Sequence, residues 1–365
     1  MSMRFSILTL GDNYQHLRSH EQFYHEVLEE AEYAEELGYE GFWVGEHHFQ
    51  ASQRVFAAPQ MILAAIAQRT TRLRLGTGVS VLPVNDPIRL AEDMAQLDLL
   101  SHGRACFGVG RGYQPHEYAG FNIPMESTKE RFWECLEIIR RAWTQESFSY
   151  EGKFYHYHDI ALLPQPLQKP HPPIWVAAAS PGSADAIAQR GYAFCAAPFA
   201  SSPSPEQIAE QLVSYRKAFT QAGYGQPTDD LPHVFWTHLA ESTEDALTEA
   251  ETGMKRKLGS STKVWAKPGT NSEYDAFAKV GQFLATATIE QLDALSIFGD
   301  PERCLQKVKR YHAAGITHLM VMFDWGGMPQ QTVFRSMELF ARYVMPHFRE
   351  LGSSESPALQ AQGAV

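Results

Sequence analysis

Short runs rich in β-branched and small apolar residues alternate along the chain with longer stretches whose apolar positions recur every third or fourth residue. The strand-like runs are Arg4–Leu10, Gly41–Gly45, Leu73–Val79, Ala105–Gly110, Pro173–Ala178, Ala193–Ala196, Val234–Ala240 and His318–Phe323. Between them, Val27, Ala31 and Ala34 share one helical face, and Gly38 marks its stop. Phe132, Leu136, Ile139 and Trp143 follow a helical spacing, as do Val333, Met337, Phe340 and Val344; each set lays one stripe on a sheet. Strands alternating with helices predict a parallel sheet covered by helices. Such a sheet can stay open or close; the count of eight favours a single (βα)8 barrel.

Two segments break the rhythm. Ser149–Pro172 reads as a hairpin excursion before the fifth strand. Gly253–Pro301 is longer and reads as a lid inserted before the last strand, because long insertions in compact domains are commonly binding loops. The expected organisation is one domain over residues 1–351, with 253–301 as its lid and a disordered polar tail over 352–365.

A length of 365 residues, 44% of them hydrophobic, is ample for one large core. The formal charge of −11, with no Lys/Arg run, argues against nucleic-acid binding and requires any anion site to be built locally. Cys106, Cys135, Cys195 and Cys304 are far apart and form no CxxC pair. Reduced thiols in the cytoplasm are therefore expected, with no disulfide frame and no metal site. The first apolar run, Phe5–Leu10, is too short for a signal sequence, and no stretch approaches the roughly 20 apolar residues of a membrane span.

Residues just past the strand ends of a parallel barrel face its active site, and four such places carry chemistry. The second strand ends in Glu46-His47-His48. Adjacent residues on an extended chain point to opposite faces, so the two histidines cannot chelate one metal; one of them can face inward as a proton donor or acceptor, or both can serve as rim hydrogen-bonding groups. Gly76 and Gly78 interrupt the third strand, which marks either a bend or the close approach of a flat ligand. The fourth strand runs into Gly108-Val-Gly110-Arg111-Gly112-Tyr113, a turn able to offer backbone N–H groups and a guanidinium to a phosphate. Its glycine spacing does not match a dinucleotide fingerprint. The fifth strand ends in Ala179-Ser180-Pro-Gly-Ser183, where Ser180 suits a helix cap and the helix start suits an anion. Taken together, the last two stations predict one phosphate held between Arg111 and the Ser180–Ser183 turn.

In order and spacing, these stations resemble the bacterial luciferase-like monooxygenases over Arg4 to about Pro346. The resemblance rests on Glu46-His47-His48-Phe49, Leu97 to Arg104, Gly108 to Gly112, Pro173 to Ser180 continuing to Gln189-Arg-Gly191, and Gly299-Asp-Pro-Glu302. It implies a (βα)8 barrel that takes reduced FMN from a separate NAD(P)H:flavin reductase and activates O2 as a flavin peroxide against a small organic substrate. By the same resemblance, His47 is the catalytic histidine, with Glu46 as its orienting neighbour. Arg111, Ser180 and Ser183 hold the phosphate together with the backbone at Gly112, Tyr113 and Ala179. Gly78-Val79 is a backbone step, often cis, under the isoalloxazine. This chain departs from luciferase at three places: Gly110 stands for a reactive cysteine, Ala179 for an acidic residue, and Pro198-Phe199 for a tryptophan. Light emission is not implied. The alternatives are a deazaflavin-dependent hydride-transfer oxidoreductase and a non-catalytic flavin-binding protein on the same fold; a homodimer is the expected assembly.

Overall fold

The computed structural model describes residues 2–50, 54–180, 182–201, 203–261 and 275–349. Its strands are β1 (Arg4–Thr9), β2 (Gly41–Val44), β3 (Arg74–Thr77), β4 (Ser80–Val81), β5 (Ala105–Gly110) and β6 (Phe148–Glu151). They continue as β7 (His156–Ile160), β8 (Ile174–Ala178), β9 (Ala193–Ala196), β10 (Pro232–Leu239), β11 (Ile297–Gly299) and β12 (His318–Met322). The order β1-β2-β3-β5-β8-β9-β10-β12 closes on itself: β1 pairs with β12, and His233 of β10 with Ala196 of β9, all in parallel. The result is a closed eight-stranded parallel barrel surrounded by helices. All eight runs read from the sequence are its staves, and the antiparallel β6–β7 pair is the expected hairpin.

The stave expected over Leu73–Val79 is shorter than that reading. It stops at Thr77, a cis peptide joins Gly78 to Val79, and β4 then resumes the pairing with β5. The glycines here answer to packing inside the barrel. A Cβ on Gly76 would lie 2.3 Å from the Trp43 indole, and one on Gly108 would lie 2.1 Å from the Thr77 carbonyl oxygen. The Trp43 indole takes the space beside Gly76 and the Thr77 carbonyl that beside Gly108, so neither stave can carry a side chain at those positions.

The expected lid segment is more structured than a loop. Helix Thr243–Ser261 runs into it, helices Asp275–Thr286 and Ile289–Ala294 lie within it, and β11 adds a further parallel strand to β10. A strand of three residues leaves too short a periodic signal to be read from sequence. Residues 262–274 and the tail lie outside the described residues.

Two of the motifs quoted above are structural. Arg104 donates to the carbonyls of Ala67, Thr70, Leu73 and Ser101 at 2.8–3.0 Å, tying together the turns at the foot of the barrel. Asp300 caps helix Pro301–Ala313, accepting from Arg303 N–H at 3.0 Å. Among the described residues, no helix is long and apolar enough to cross a membrane.

Candidate active site

The C-terminal mouth of the barrel holds a cavity of about 580 Å³. Glu46, His47, Gly78, Val79, Arg111, Gly112, Tyr113, Ala179, Ser180 and Ser183 all line it. The sequence therefore identified residues that the fold brings to one place.

At one end sits His47, carried past β2 and buried. Its Nδ1 lies 2.9 Å from Glu117 Oε1 and its Nε2 lies 2.5 Å from Arg54 Nη1. A guanidinium can only donate, so Nε2 accepts and the ring proton sits on Nδ1, directed at Glu117. Burial and then the Arg54 charge push the imidazole down to about 4, against the opposing pull of Glu117. His47 is thus neutral at physiological pH. Burial alone would raise the Glu117 carboxyl; the bonds from His47 and the His48 N–H, the latter at 2.9 Å, outweigh it and leave the group below the usual range.

Glu46 does not orient His47, contrary to the sequence reading. Its carboxylate accepts from His48 Nε2, Val81 N–H and Asn85 Nδ2, each at 2.9 Å. It braces the end of β2 against β4, and Glu117 takes the orienting role. The alternation argument for the two histidines holds: His47 lines the cavity, whereas His48 packs edge-on against Phe121 at 4.7 Å.

Behind Arg54 lies a chain of buried charge. Arg54 Nη1 also donates to the Tyr113 hydroxyl at 3.1 Å, and its Nε lies 3.5 Å from Asp12 Oδ1. Lys257, on helix Thr243–Ser261, donates to Asp12 Oδ2, which also accepts from Gly326 N–H at 3.2 Å. Burial raises the Asp12 carboxyl, but Lys257 and Arg54 overcome it and hold the group ionised.

At the other end, Arg111 leaves β5 beside the turn after β8. Ser183 Oγ donates to the Ser180 carbonyl at 2.5 Å and accepts from the Ser180 N–H at 3.3 Å. Gly182, at φ +76°, lines the cavity and has nothing among the described residues within 4 Å of where a Cβ would stand. Gly112, at φ +81°, could carry no Cβ without meeting Val81 at 2.8 Å and the Tyr118 hydroxyl at 2.9 Å. Lys129 and Arg190 also line the cavity. Between the two ends the wall is apolar. Phe199 and Trp236 stack at 4.6 Å, joined by Met320, Met322, Leu258 and Leu284. Trp325 and Phe323, equally aromatic in the sequence, belong to the core.

A family model described as luciferase-like monooxygenase matches residues 3–318. The chain belongs to this family. Among luciferase-like relatives, the oxygenase component of the flavin-dependent trigonelline monooxygenase of Acinetobacter baylyi is 27% identical over 95% of this chain and 96% of its own. The 4-hydroxyprotoasukamycin monooxygenase of Streptomyces nodosus subsp. asukaensis is 32% identical over 88% of this chain and 86% of its own. The crystal structure of monooxygenase RslO1 from Streptomyces bottropensis superposes with a TM-score of 0.81 at 30% identity, covering 95% of this chain and 100% of that one. The chain is thus a flavin-dependent oxidoreductase on the luciferase-like fold.

The cavity fits FMN, the flavin that membership of this family supports. Its volume lies in the range of small-molecule sites, roughly 300–1,000 Å³. One end offers a cation and hydroxyls on a turn; the Gly78–Val79 step and the apolar wall offer flat surfaces.

Sequence reasoning missed Arg54, Glu117, Asp12 and Lys257. One signal was available for the first three, since each follows the end of a barrel stave, where loops face the active site. Nothing local marks Lys257, which is one of two lysines in a polar helix.

Proposed function

We propose that this chain is the oxygenase of a two-component system, taking reduced FMN from a separate NAD(P)H:flavin reductase and using O2 to oxygenate a small, largely apolar organic molecule. One observation carries this reading: a single cavity is lined by an anion-type turn, a buried neutral histidine and an apolar wall. The Acinetobacter relative's designation as an oxygenase component supports a partner reductase.

Arg111, Ser180 and Ser183 hold the phosphate, with backbone groups at Gly112, Tyr113 and Ala179 around it; Gly78-Val79 supports the ring system. Bound in reduced form, the flavin supplies the electrons that activate oxygen. The chain's own residues position, shield and move protons. Once Arg54 Nη1 moves off it, His47 Nε2 accepts a proton, and the Glu117 carboxylate at Nδ1 stabilises the imidazolium that results. Glu46 fixes the strand end from which His47 projects. The apolar wall, with Leu258 and Leu284 contributed by the lid segment, keeps water from the reacting centre.

The test is oxygen uptake with reduced FMN, with and without a panel of apolar substrates, beside binding of the reduced deazaflavin cofactor. Substrate-dependent uptake with an oxygenated product supports the proposal. Preferential binding of deazaflavin, with hydride transfer and no uptake, replaces it. Tight FMN binding with neither reaction leaves only a flavin-binding protein.

A further inference from the structure

Five groups surround His47. Arg54 approaches from the loop after β2, Tyr113 from the turn after β5, and Gln114 and Glu117 from the segment beginning helix Pro115–Gly120. Asp12, past β1, stands behind Arg54. The chain neighbours Glu46 and His48 are bonded to each other. Among the described residues, one of these groups, Asp12, is met by a second cation. Asp12 lies between Arg54 and Lys257, both at least nine-tenths buried. The backbones of Asp12 and Arg54 are bridged, so the two side chains leave neighbouring points on the same wall. Even so, Arg54 does not close on the carboxylate: Nε stays 3.5 Å from Oδ1, too far for a good hydrogen bond, while Nη1 points to His47.

A buried guanidinium beside a carboxylate ordinarily forms the two-pronged contact that is the stronger arrangement. Here Lys257 occupies Oδ2 and already neutralises much of the carboxylate charge. We propose that Lys257 is a positioning residue for His47: by occupying Asp12, it leaves Arg54 free to donate to His47 Nε2. Helix Thr243–Ser261 thereby reaches the proton-handling group through two intermediates, without touching it. The inference rests on the reading of His47 as that group, but the coupling can be measured without any reaction.

The test is an NMR titration of the histidine ring signals in the full-length chain, with the His47 resonance identified by its loss in His47→Gln. The parent signal should stay in its neutral position from pH 8 down to pH 5.5. In Lys257→Met, Asp12 keeps Arg54 as its partner, so the fold has no unpaired buried carboxylate. Arg54 should then close on Asp12 and release Nε2, raising the His47 midpoint by about one pH unit or more. Lys257→Arg should restore the parent behaviour. The double-mutant cycle separates this from simple loss of a nearby charge: in an Arg54→Met background, Lys257→Met should shift the midpoint by less than half as much. An unmoved midpoint in Lys257→Met overturns the proposal, and so does an equal shift with and without Arg54. If the midpoint moves as expected while His47→Ala leaves substrate oxidation intact, the coupling stands and the proton-handling role of His47 fails.

Discussion

The two ends of the cavity are built by opposite means. At the anion end, the contacts that shape the turn join residues three apart, Ser180 and Ser183, and the groups lie half in solvent. At the histidine end, His47 is fixed by Arg54 a few residues along, by Glu117 seventy residues away, and through Asp12 by Lys257, all buried. In the proposed function, the first end works by presenting groups to a ligand. The second works by keeping a titratable ring neutral in a place where charge is costly. Damage at the first should appear in binding, and damage at the second in rate and pH response.

The largest expected effect is on rate. His47→Ala should lower substrate oxidation about 10²–10⁴-fold, the usual contribution of a placed general acid or base, with little change in reduced FMN affinity. Oxygen uptake should continue with hydrogen peroxide as the product, read by a peroxidase-coupled assay. His48→Ala, whose ring faces Glu46 and Phe121, should retain most of the turnover. Loss of turnover in His48→Ala with none in His47→Ala would overturn the assignment to His47 and move the chemistry to His48.

Next comes the phosphate. Arg111→Ala should weaken reduced FMN by roughly 1.5–3 kcal/mol, as for a hydrogen bond to a charged group. Reduced riboflavin, which has no phosphate, should bind parent and variant alike in a fluorescence-quenching titration. Equal losses for both ligands would make Arg111 structural and erase the distinction between the two ends.

This contrast also explains what the sequence revealed. The barrel was readable because its period is local: each stave and each helix stripe declares itself within about ten residues. The two stretches proposed to hold the phosphate could be picked out for the same reason, since Gly110-Arg111-Gly112 and Ser180 to Ser183 are contiguous. His47 could be placed at a strand end, but its orienting carboxylate could not. Glu46 was the nearest candidate in sequence, yet Glu117 is the nearest in space. The Glu46 carboxylate is instead taken up by His48, Val81 and Asn85. The sequence signal of Asp12, Arg54 and Lys257 was weaker still, because charge pairing across the fold leaves no spacing to read. The signal at Gly76 has a packing cause that no spacing reveals, since the Trp43 indole leaves no room for a side chain there.

The third prediction concerns acid. The His47 ring takes a proton at about 4 in the folded chain and near 6.5 when unfolded. Below pH 6.5 the unfolded chain therefore binds a proton that the folded chain refuses, so stability falls as pH drops toward 4. From this ring the loss at pH 5 is about 2 kcal/mol relative to pH 7. His47→Gln keeps a hydrogen-bonding side chain but cannot titrate. Its urea-unfolding free energy should fall less between pH 7 and pH 5, by about that amount. His233, also pushed down to about 4 by burial, stays in both proteins and supplies a common background. Arg111→Ala should keep the parent's full pH dependence, because its end of the cavity holds no buried imidazole. An unchanged pH slope in His47→Gln would mean that the ring is more hydrated than its surroundings imply.

The smallest effect tests the anion end at its weakest contact. Ser183 Oγ donates to the Ser180 carbonyl and accepts from the Ser180 N–H, so one hydroxyl closes a turn of four residues on itself. Both partners are backbone groups in a half-exposed turn, where water can replace the hydroxyl. Ser183→Ala should therefore cost little in stability. Its effect on binding depends on what the hydroxyl does when a phosphate arrives. If it turns from the Ser180 carbonyl to the phosphate, the variant should lose about 0.5–1.5 kcal/mol of reduced FMN affinity, the net worth of one ordinary hydrogen bond, and no riboflavin affinity. Should it serve only to shape the turn, loosening the backbone would weaken FMN by a similar amount, but Ser183→Thr would then restore both contacts and the affinity with them. A phosphate contact instead makes Ser183→Thr sensitive to its added methyl group at the cavity edge. Calorimetric titration of the two variants with reduced FMN and reduced riboflavin, without oxygen, separates these cases. FMN affinity unchanged in Ser183→Ala would remove Ser183 from the phosphate site and leave Arg111 and the backbone turn to form it.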